Sequence, residues 1–484
     1  MVSSPSRKST LKSVDPESLG TTNPYVKLVK SQEIVEVPEL ELDSGAVIRN
    51  FPIAYQTWGE LNERGDNVLI VCHALTGSSD VADWWGPLLG PDLAFDTSRY
   101  LVVCLNSMGS PYGSFSPLNV DPDTGNVYGP EFPLCTVRDD VRAHKIVLDS
   151  LGINSVACVV GGSMGGMLAL EWAAIFGPEY VKNMVALATS ARHSAWCISW
   201  SEAQRQSIYS DPNYLDGFYA QDKQPVVGLA AARMSALLTY RSRNSFENKF
   251  SRRSPSVLHQ HKSRQQILKN KPSTLHEHNL AIHNDGHRHS NKDERRASVS
   301  SDSSSASLKS VSSSTSVASV SSKTGKNIKP AQTYFSAQSY LRYQGQKFVD
   351  RFDANCYISI TRKLDTHDLA RDRADHEDNL DQVLNSLQQP TLVIGIKSDG
   401  LFTYSEQEYL AAHIPNSELK KIESSEGHDA FLLEFKLIND YITAFLRQNA
   451  PELSNAPPRL WQDETDREIV KNSLFGEAEE VTNW

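Results

Sequence analysis

Five short runs of uninterrupted apolar residues punctuate this chain: Val68–Cys72, Tyr100–Leu105, Val156–Val160, Met184–Ala188 and Leu392–Ile396. Runs of that length without polar alternation suit strands buried on both faces, as in a parallel sheet covered by helices. The segments Val137–Leu151 and Met164–Phe176 between them carry apolar residues at helical spacing, and Phe431–Gln448 closes the series. This alternation predicts an α/β fold with a mostly parallel central sheet. Upstream, Glu39–Thr57 alternates apolar and polar residues around Asp43-Ser44-Gly45, the pattern of an antiparallel hairpin at a sheet edge.

From residue 195 to residue 388 the strand pattern largely disappears. Ser201–Tyr209, Val227–Tyr240 and Ser336–Phe348 read as helices, so this stretch is expected to be a helical lid inserted between two sheet strands. Inside it lies a segment of different composition. Between residues 251 and 330, 14 Lys and Arg stand against five Asp and Glu, so the net charge of −10 is the sum of a basic insertion and a more acidic remainder. Fifteen of the 25 residues from Ser298 to Ser322 are serine, too few of the rest being apolar to offset the entropy of ordering them. Residues 251–330 are therefore expected to be a disordered insertion. Within it, Arg295-Arg296-Ala297-Ser298-Val299 has the basic-basic-x-Ser pattern of a kinase substrate, with Ser298 as the acceptor, although the run also reads as a solvated basic linker. The full division is a flexible N-terminal tail at 1–22, core at 23–194, lid at 195–388, core again at 389–450 and a C-terminal extension at 451–484.

Several function classes drop out early. The acidic folded part argues against a nucleic-acid partner. Ser155–Gly177 carries one charge, Glu171, but it is glycine-dense in the middle and changes from β-branched to Ala/Leu/Met-rich. Strand, turn and helix explain that change better than a membrane span. Six cysteines without C-x-x-C pairs point to reduced thiols in the cytoplasm, with neither a disulfide framework nor a metal site.

The chemistry concentrates at Gly161-Gly162-Ser163-Met164-Gly165, which satisfies G-x-S-x-G between an expected strand and an expected helix. A sharp turn there projects Ser163 out of the sheet beside a helix N-terminus that favours developing negative charge. A serine nucleophile needs a base, and the base needs an orienting carboxylate. Of the late histidines, His413 has helical surroundings and His376 lies in a charge-dense run. His428, in the loop between Leu419–Ile422 and the last helix, is the expected base. Asp399 follows the strand Leu392–Ile396 and is the expected orienter, although Asp399-Gly400 also reads as a simple turn. For the oxyanion, the expected donors are the backbone N–H groups of Met164 and of Leu75, the latter in the loop His73-Ala74-Leu75-Thr76-Gly77. His73 itself is expected to brace that loop.

With those residues in place, the chain resembles the homoserine O-acetyltransferases, in their longer fungal form, from about Asn23 to Trp484. The likeness rests on HALTGSSDVADWWGPLLG, GPEFPLCTVRDDVRAH, GGSMGGMLALEWAA, ARMSALLTYRSR and EGHDAFLLE. It implies an α/β-hydrolase fold with a helical lid, a Ser163–Asp399–His428 triad, a Leu75/Met164 oxyanion hole and a homodimer. It also implies that Arg233 and Asp429 hold the amino-acid substrate; a zwitterion in a partly dry pocket needs one cation and one anion. Acetyl-CoA would be a co-substrate with no permanently bound cofactor, and O-acetylhomoserine would feed methionine biosynthesis. Around Asn106 the chain reads NSMGSPYGSFSP, a departure from the glycine-rich form of shorter bacterial members. From the residues alone, an ester hydrolase and an acyltransferase using serine or succinyl-CoA remain open.

Overall fold

The computed structural model describes residues 11–254, 279–280, 282–287, 334–373 and 379–459. Ser298, most of the expected insertion and His376 lie outside the described residues. The chain divides into two compact units, Arg252–Arg342 and the remainder. In the smaller unit Asp285 pairs with Arg342 at 3.0 Å, and the Arg252 guanidinium lies 4.8 Å from the Phe335 ring.

The larger unit is built on one nine-stranded sheet: β1 (Lys12–Ser13), β2 (Glu33–Glu41), β3 (Val47–Trp58), β4 (Val68–Cys72), β5 (Leu101–Leu105), β6 (Cys158–Gly162), β7 (Met184–Leu187), β8 (Thr391–Ile396) and β9 (Ser417–Ile422). Their spatial order is β1-β2-β3-β5-β4-β6-β7-β8-β9. Strands β4 to β9 run parallel, while β1, β2 and β3 pair antiparallel, the hairpin turning at Gly45 with φ +80°. The apolar runs are continuous because successive residues serve opposite faces. Val68 and Ile70 pack with Val141 and Leu168 on one side, Leu69 and Val71 with Trp85 and Ile442 on the other.

Helix α1 (Val137–Ser150) starts at a capping box between Thr136 and Asp139. Helix α2 (Met164–Tyr180) runs regularly to Phe176, where Gly177 at φ +63° interrupts it. Between β7 and β8 the described residues contain no strand; they form α3 (Ala195–Tyr209), α4 (Val226–Tyr240), α5 (Arg243–Lys249), α6 (Ser336–Val349), α7 (Ala354–Asp365) and α8 (Leu380–Ser386). Helix α9 (Tyr404–His413) joins β8 to β9, and α10 (Phe435–Asn449) follows β9.

Three expectations need correction. Residues 12–22 are not a loose tail: β1 pairs with β2, Val14 N–H donates to the Ile34 carbonyl, and Val14 and Leu19 pack against Val26, Ile34 and Ala54. The strand expected at Val156–Val160 runs two residues later, because Gly161 and Gly162 ladder with Ala186 and Leu187 up to Ser163. The last helix is broken at Glu434, separating a short turn, Ala430–Leu433, from α10.

Candidate active site

In a parallel sheet the loops after the strands gather at one edge, the place where α/β proteins hold ligands. Ser163 follows β6, Asp399 follows β8, His428 follows β9 and Leu75 follows β4. Four segments far apart in the chain therefore meet there.

Ser163 has φ +59° and ψ −125°, a conformation uncommon outside glycine. Two contacts explain the flanking glycines. A Cβ on Gly161 would press into the Gly165 carbonyl, and one on Gly165 into the Cys72 carbonyl. Strand and helix approach too closely for any side chain at either position. The turn is locked by Ser163 N–H donating to the Leu187 carbonyl at 3.0 Å and by Thr189 Oγ1 donating to the Ser163 carbonyl at 2.7 Å.

Ser163 Oγ lies 2.9 Å from His428 Nε2, and His428 Nδ1 lies 2.7 Å from Asp399 Oδ2. Ser163 thus donates to the imidazole, which donates to the carboxylate. The other oxygen of Asp399 accepts from Leu401 N–H at 2.8 Å and Phe402 N–H at 3.0 Å. One oxygen of Asp399 thus makes the turn contacts and the other the contact with the imidazole. Burial alone would push the His428 pKa down, but the Asp399 carboxylate, with help from Asp429, leaves it above the ordinary 6.5.

Met164 is the first residue of α2, directly after Ser163, and half-buried Leu75 lines the same cleft as Ser163 and His428. His73 braces the Leu75 loop in two directions: its Nε2 accepts from Ser107 N–H at 2.9 Å, and its Nδ1 donates to the Ala74 carbonyl at 2.8 Å. Burial holds its pKa down, to about 4, so the ring is neutral.

The cleft holds a cavity of about 180 Å³ and is walled by aromatic and aliphatic side chains, among them Trp84, Trp200, Phe402 and Phe435. Asp429 lines it, is almost fully buried, and pairs with Arg241 Nε at 2.8 Å. Arg233 is fully buried, its guanidinium 4.9 Å from the Phe348 ring and 5.5 Å from the ring of Tyr240, which lines the cleft. So the structure brings Ser163, Asp399, His428, Leu75 and Asp429 to one cleft, with Arg233 buried against Tyr240 of its lining.

Sequence reasoning missed two cations. Arg241 pairs with Asp429, and Arg351 lines the cleft, its Nη1 3.2 Å from Tyr112 Oη and 3.4 Å from the Thr76 carbonyl. Arg241 falls within the segment ARMSALLTYRSR, but nothing local marks its role or that of Arg351, since each partner comes from a distant part of the chain. A third missed element is the fully buried ion pair of Lys363 with Asp140. Lys363 Nζ also donates to the Met108 carbonyl at 2.7 Å, while Asp140 accepts from Met108 N–H at 2.9 Å. This pair fixes the Asn106 loop through both backbone polar groups of one residue, Met108.

Comparison with known proteins places this geometry. A family model described as the alpha/beta hydrolase fold matches residues 67–435. The homoserine O-acetyltransferase of Saccharomyces cerevisiae is 69% identical over 489 residues, covering 99% of each chain. That of Emericella nidulans is 54% identical, covering 96% of each. Among solved structures, the homoserine O-acetyltransferase from Bacillus anthracis superposes with a TM-score of 0.64 at 20% identity, covering 89% of this chain and 99% of that one. Esterase E22 gives 0.65 at 23% identity, covering 86% and 99%; both likenesses speak to the fold. Full-length identity of that order, on an alpha/beta hydrolase framework, makes this chain a member of the homoserine O-acetyltransferase family.

Proposed function

We propose that the chain transfers an acetyl group from acetyl-CoA to the side-chain hydroxyl of L-homoserine, in two half-reactions that share Ser163. The observation that carries this reading is the unbroken Ser163–His428–Asp399 hydrogen-bond chain in the cleft, in a protein whose full-length relatives are homoserine O-acetyltransferases.

In the first half-reaction His428 Nε2 takes the Ser163 proton as Oγ bonds to the thioester carbon. The N–H groups of Met164 and Leu75 receive the charge developing on the carbonyl oxygen. Collapse breaks the C–S bond; a thiol of pKa about 8.5 leaves readily as thiolate and takes the proton from His428. In the second, the homoserine hydroxyl gives its proton to His428 while its oxygen attacks the acetyl carbon. Ser163 Oγ then leaves and recovers the proton. Asp399 keeps the imidazole in the tautomer that both steps require. Arg233 and Asp429 serve as countercharges for the carboxylate and ammonium of homoserine. Acetyl-CoA is a passing co-substrate; no resident cofactor or metal enters this scheme. The product supplies methionine biosynthesis.

The working form is proposed to be a cytoplasmic homodimer. Trp196, Leu215, Phe218 and Leu238 on the lid are more than half exposed, an apolar surface suited to a second copy. All six cysteines are buried free thiols, as a reducing compartment allows. No described helix is long and apolar enough to cross a membrane.

Purified full-length protein given acetyl-CoA should release CoA far faster with homoserine than in water alone. Equal release in both would make it a hydrolase. Parallel reactions with serine as acceptor and succinyl-CoA as donor test the choice of substrates.

A further inference from the structure

The C-terminal end of α4 carries more of the site than the two residues already assigned to substrate. Arg241, the residue that ends this helix, is buried and faces two carboxylates of the histidine loop. Its Nε lies 2.8 Å from Asp429 Oδ2, and its Nη1 pairs with Glu426. The contact is reinforced on both sides. Glu426 also accepts from Ser245 Oγ at 2.8 Å, and Ser242 Oγ donates to the Ser425 carbonyl. Gly427, between the two carboxylates, has φ +73°, and a Cβ there would collide with the backbone of Arg241 and Ser242. From the opposite side Gly427 N–H donates to Ser398 Oγ at 3.0 Å, beside Asp399. The loop bearing His428 is thus held between the lid and the Asp399 loop.

We propose that Arg241 is the positioning residue for the acceptor amino acid: it holds Asp429 ionised and at fixed orientation for the substrate ammonium. The inference rests on the reading of Asp429 given above. A buried carboxylate without a cation tends to take up a proton and would then offer an ammonium a hydrogen bond but no charge. The Arg241 fork supplies that cation while reaching Glu426 with its other arm, so the Asp429 side chain is set by the lid rather than by its own loop. Lysine, a point charge without the fork, can satisfy only one of the two carboxylates.

The test compares homoserine with 4-hydroxybutanoate, which keeps the hydroxyl and carboxylate and lacks the amine. In R241Q the KM for homoserine should rise about tenfold or more, and in R241K about threefold. The burst of CoA released before any acceptor is added should change far less than that. With 4-hydroxybutanoate, kcat/KM of R241Q and of the unaltered protein should agree within about twofold. Parallel losses with both acceptors, or a burst that falls as far as acceptor use, would make Arg241 a general structural residue and overturn the proposal. R241K, which preserves charge, reports on the same point if R241Q folds poorly: an unchanged homoserine KM in R241K contradicts the proposal. D429N separates the two ideas. If D429N leaves the homoserine KM unchanged, the Asp429 reading fails; if D429N raises it and R241Q does not, the Arg241 inference alone fails.

Discussion

The floor of the cleft and its lid wall are held in place by different physics. Ser163, Asp399 and His428 stand on loops leaving parallel strands, and short-range backbone contacts fix the first two: a glycine-bounded turn for Ser163, two backbone N–H groups for Asp399. The lid wall is held by buried charges paired over long sequence distances, Arg241 with Asp429, Lys363 with Asp140 and Arg351 against the Thr76 carbonyl. Strand ends give precise placement from local sequence. Charge pairs join segments the chain could not otherwise hold together, and they make the lid sensitive to loss of a single partner.

Asp399→Asn keeps an oxygen for the Leu401 and Phe402 N–H groups but removes the charge that orients His428. Turnover should fall by about 10⁴-fold while the unfolding temperature stays nearly unchanged. The pH profile sharpens this. His428 must be neutral to act as base, and its pKa is raised, so kcat/KM should climb with pH through a limb above 6.5. In Asp399→Asn burial dominates instead, and the limb should move below 6.5.

On the lid side, chemistry and stability should respond in the opposite proportion. Lys363→Met leaves Asp140 buried without its cation and should cost about 3–5 kcal/mol of stability, measured by urea unfolding. Lys363→Met combined with Asp140→Leu should recover part of that loss, because no lone charge is left buried. Failure of the double variant to recover any stability would shift the explanation from charge to packing.

The last effect is distributed over four residues, each contributing little by itself. His73, His144, His193 and His367 are buried, with pKa values pushed down to about 4, 3, 3 and 4. Below 6.5 the unfolded chain binds protons that the folded one refuses, so stability is complete above that pH and falls as pH drops toward 4. Each histidine contributes at most about 1.4 kcal/mol per pH unit in that window. A urea midpoint that stayed flat from pH 6.5 to 5 would contradict the neutral, buried state of these rings.

How much of this was legible in the sequence follows the same division. The apolar runs, the hairpin at Asp43 and the elbow at Ser163 are local patterns, and each appears in the fold. Asp399 and His428 could be chosen because chain order in such a sheet restricts the candidates. The exact end of β6 was hidden because glycines at 161 and 162 do not look like strand residues, yet a ladder needs only their backbone. The ordered stretch at Lys12–Leu19 was hidden because it continues from a basic, serine-rich run before Asp15; Val14 and Leu19 are enough to dock it. Arg241, Arg351 and Lys363 carry no signal of their own, since an arginine or lysine in a helical lid reads as a solvated charge until its partner is seen.

The central claim is that Ser163 carries the acetyl group between donor and acceptor. Incubating the full chain with acetyl-CoA alone, followed by peptide mass spectrometry, should find one acetyl group on Ser163. Adding homoserine should then remove it with appearance of O-acetylhomoserine. An unmodified Ser163 in a protein that still turns over, or an acetyl group that homoserine fails to discharge, would contradict the account.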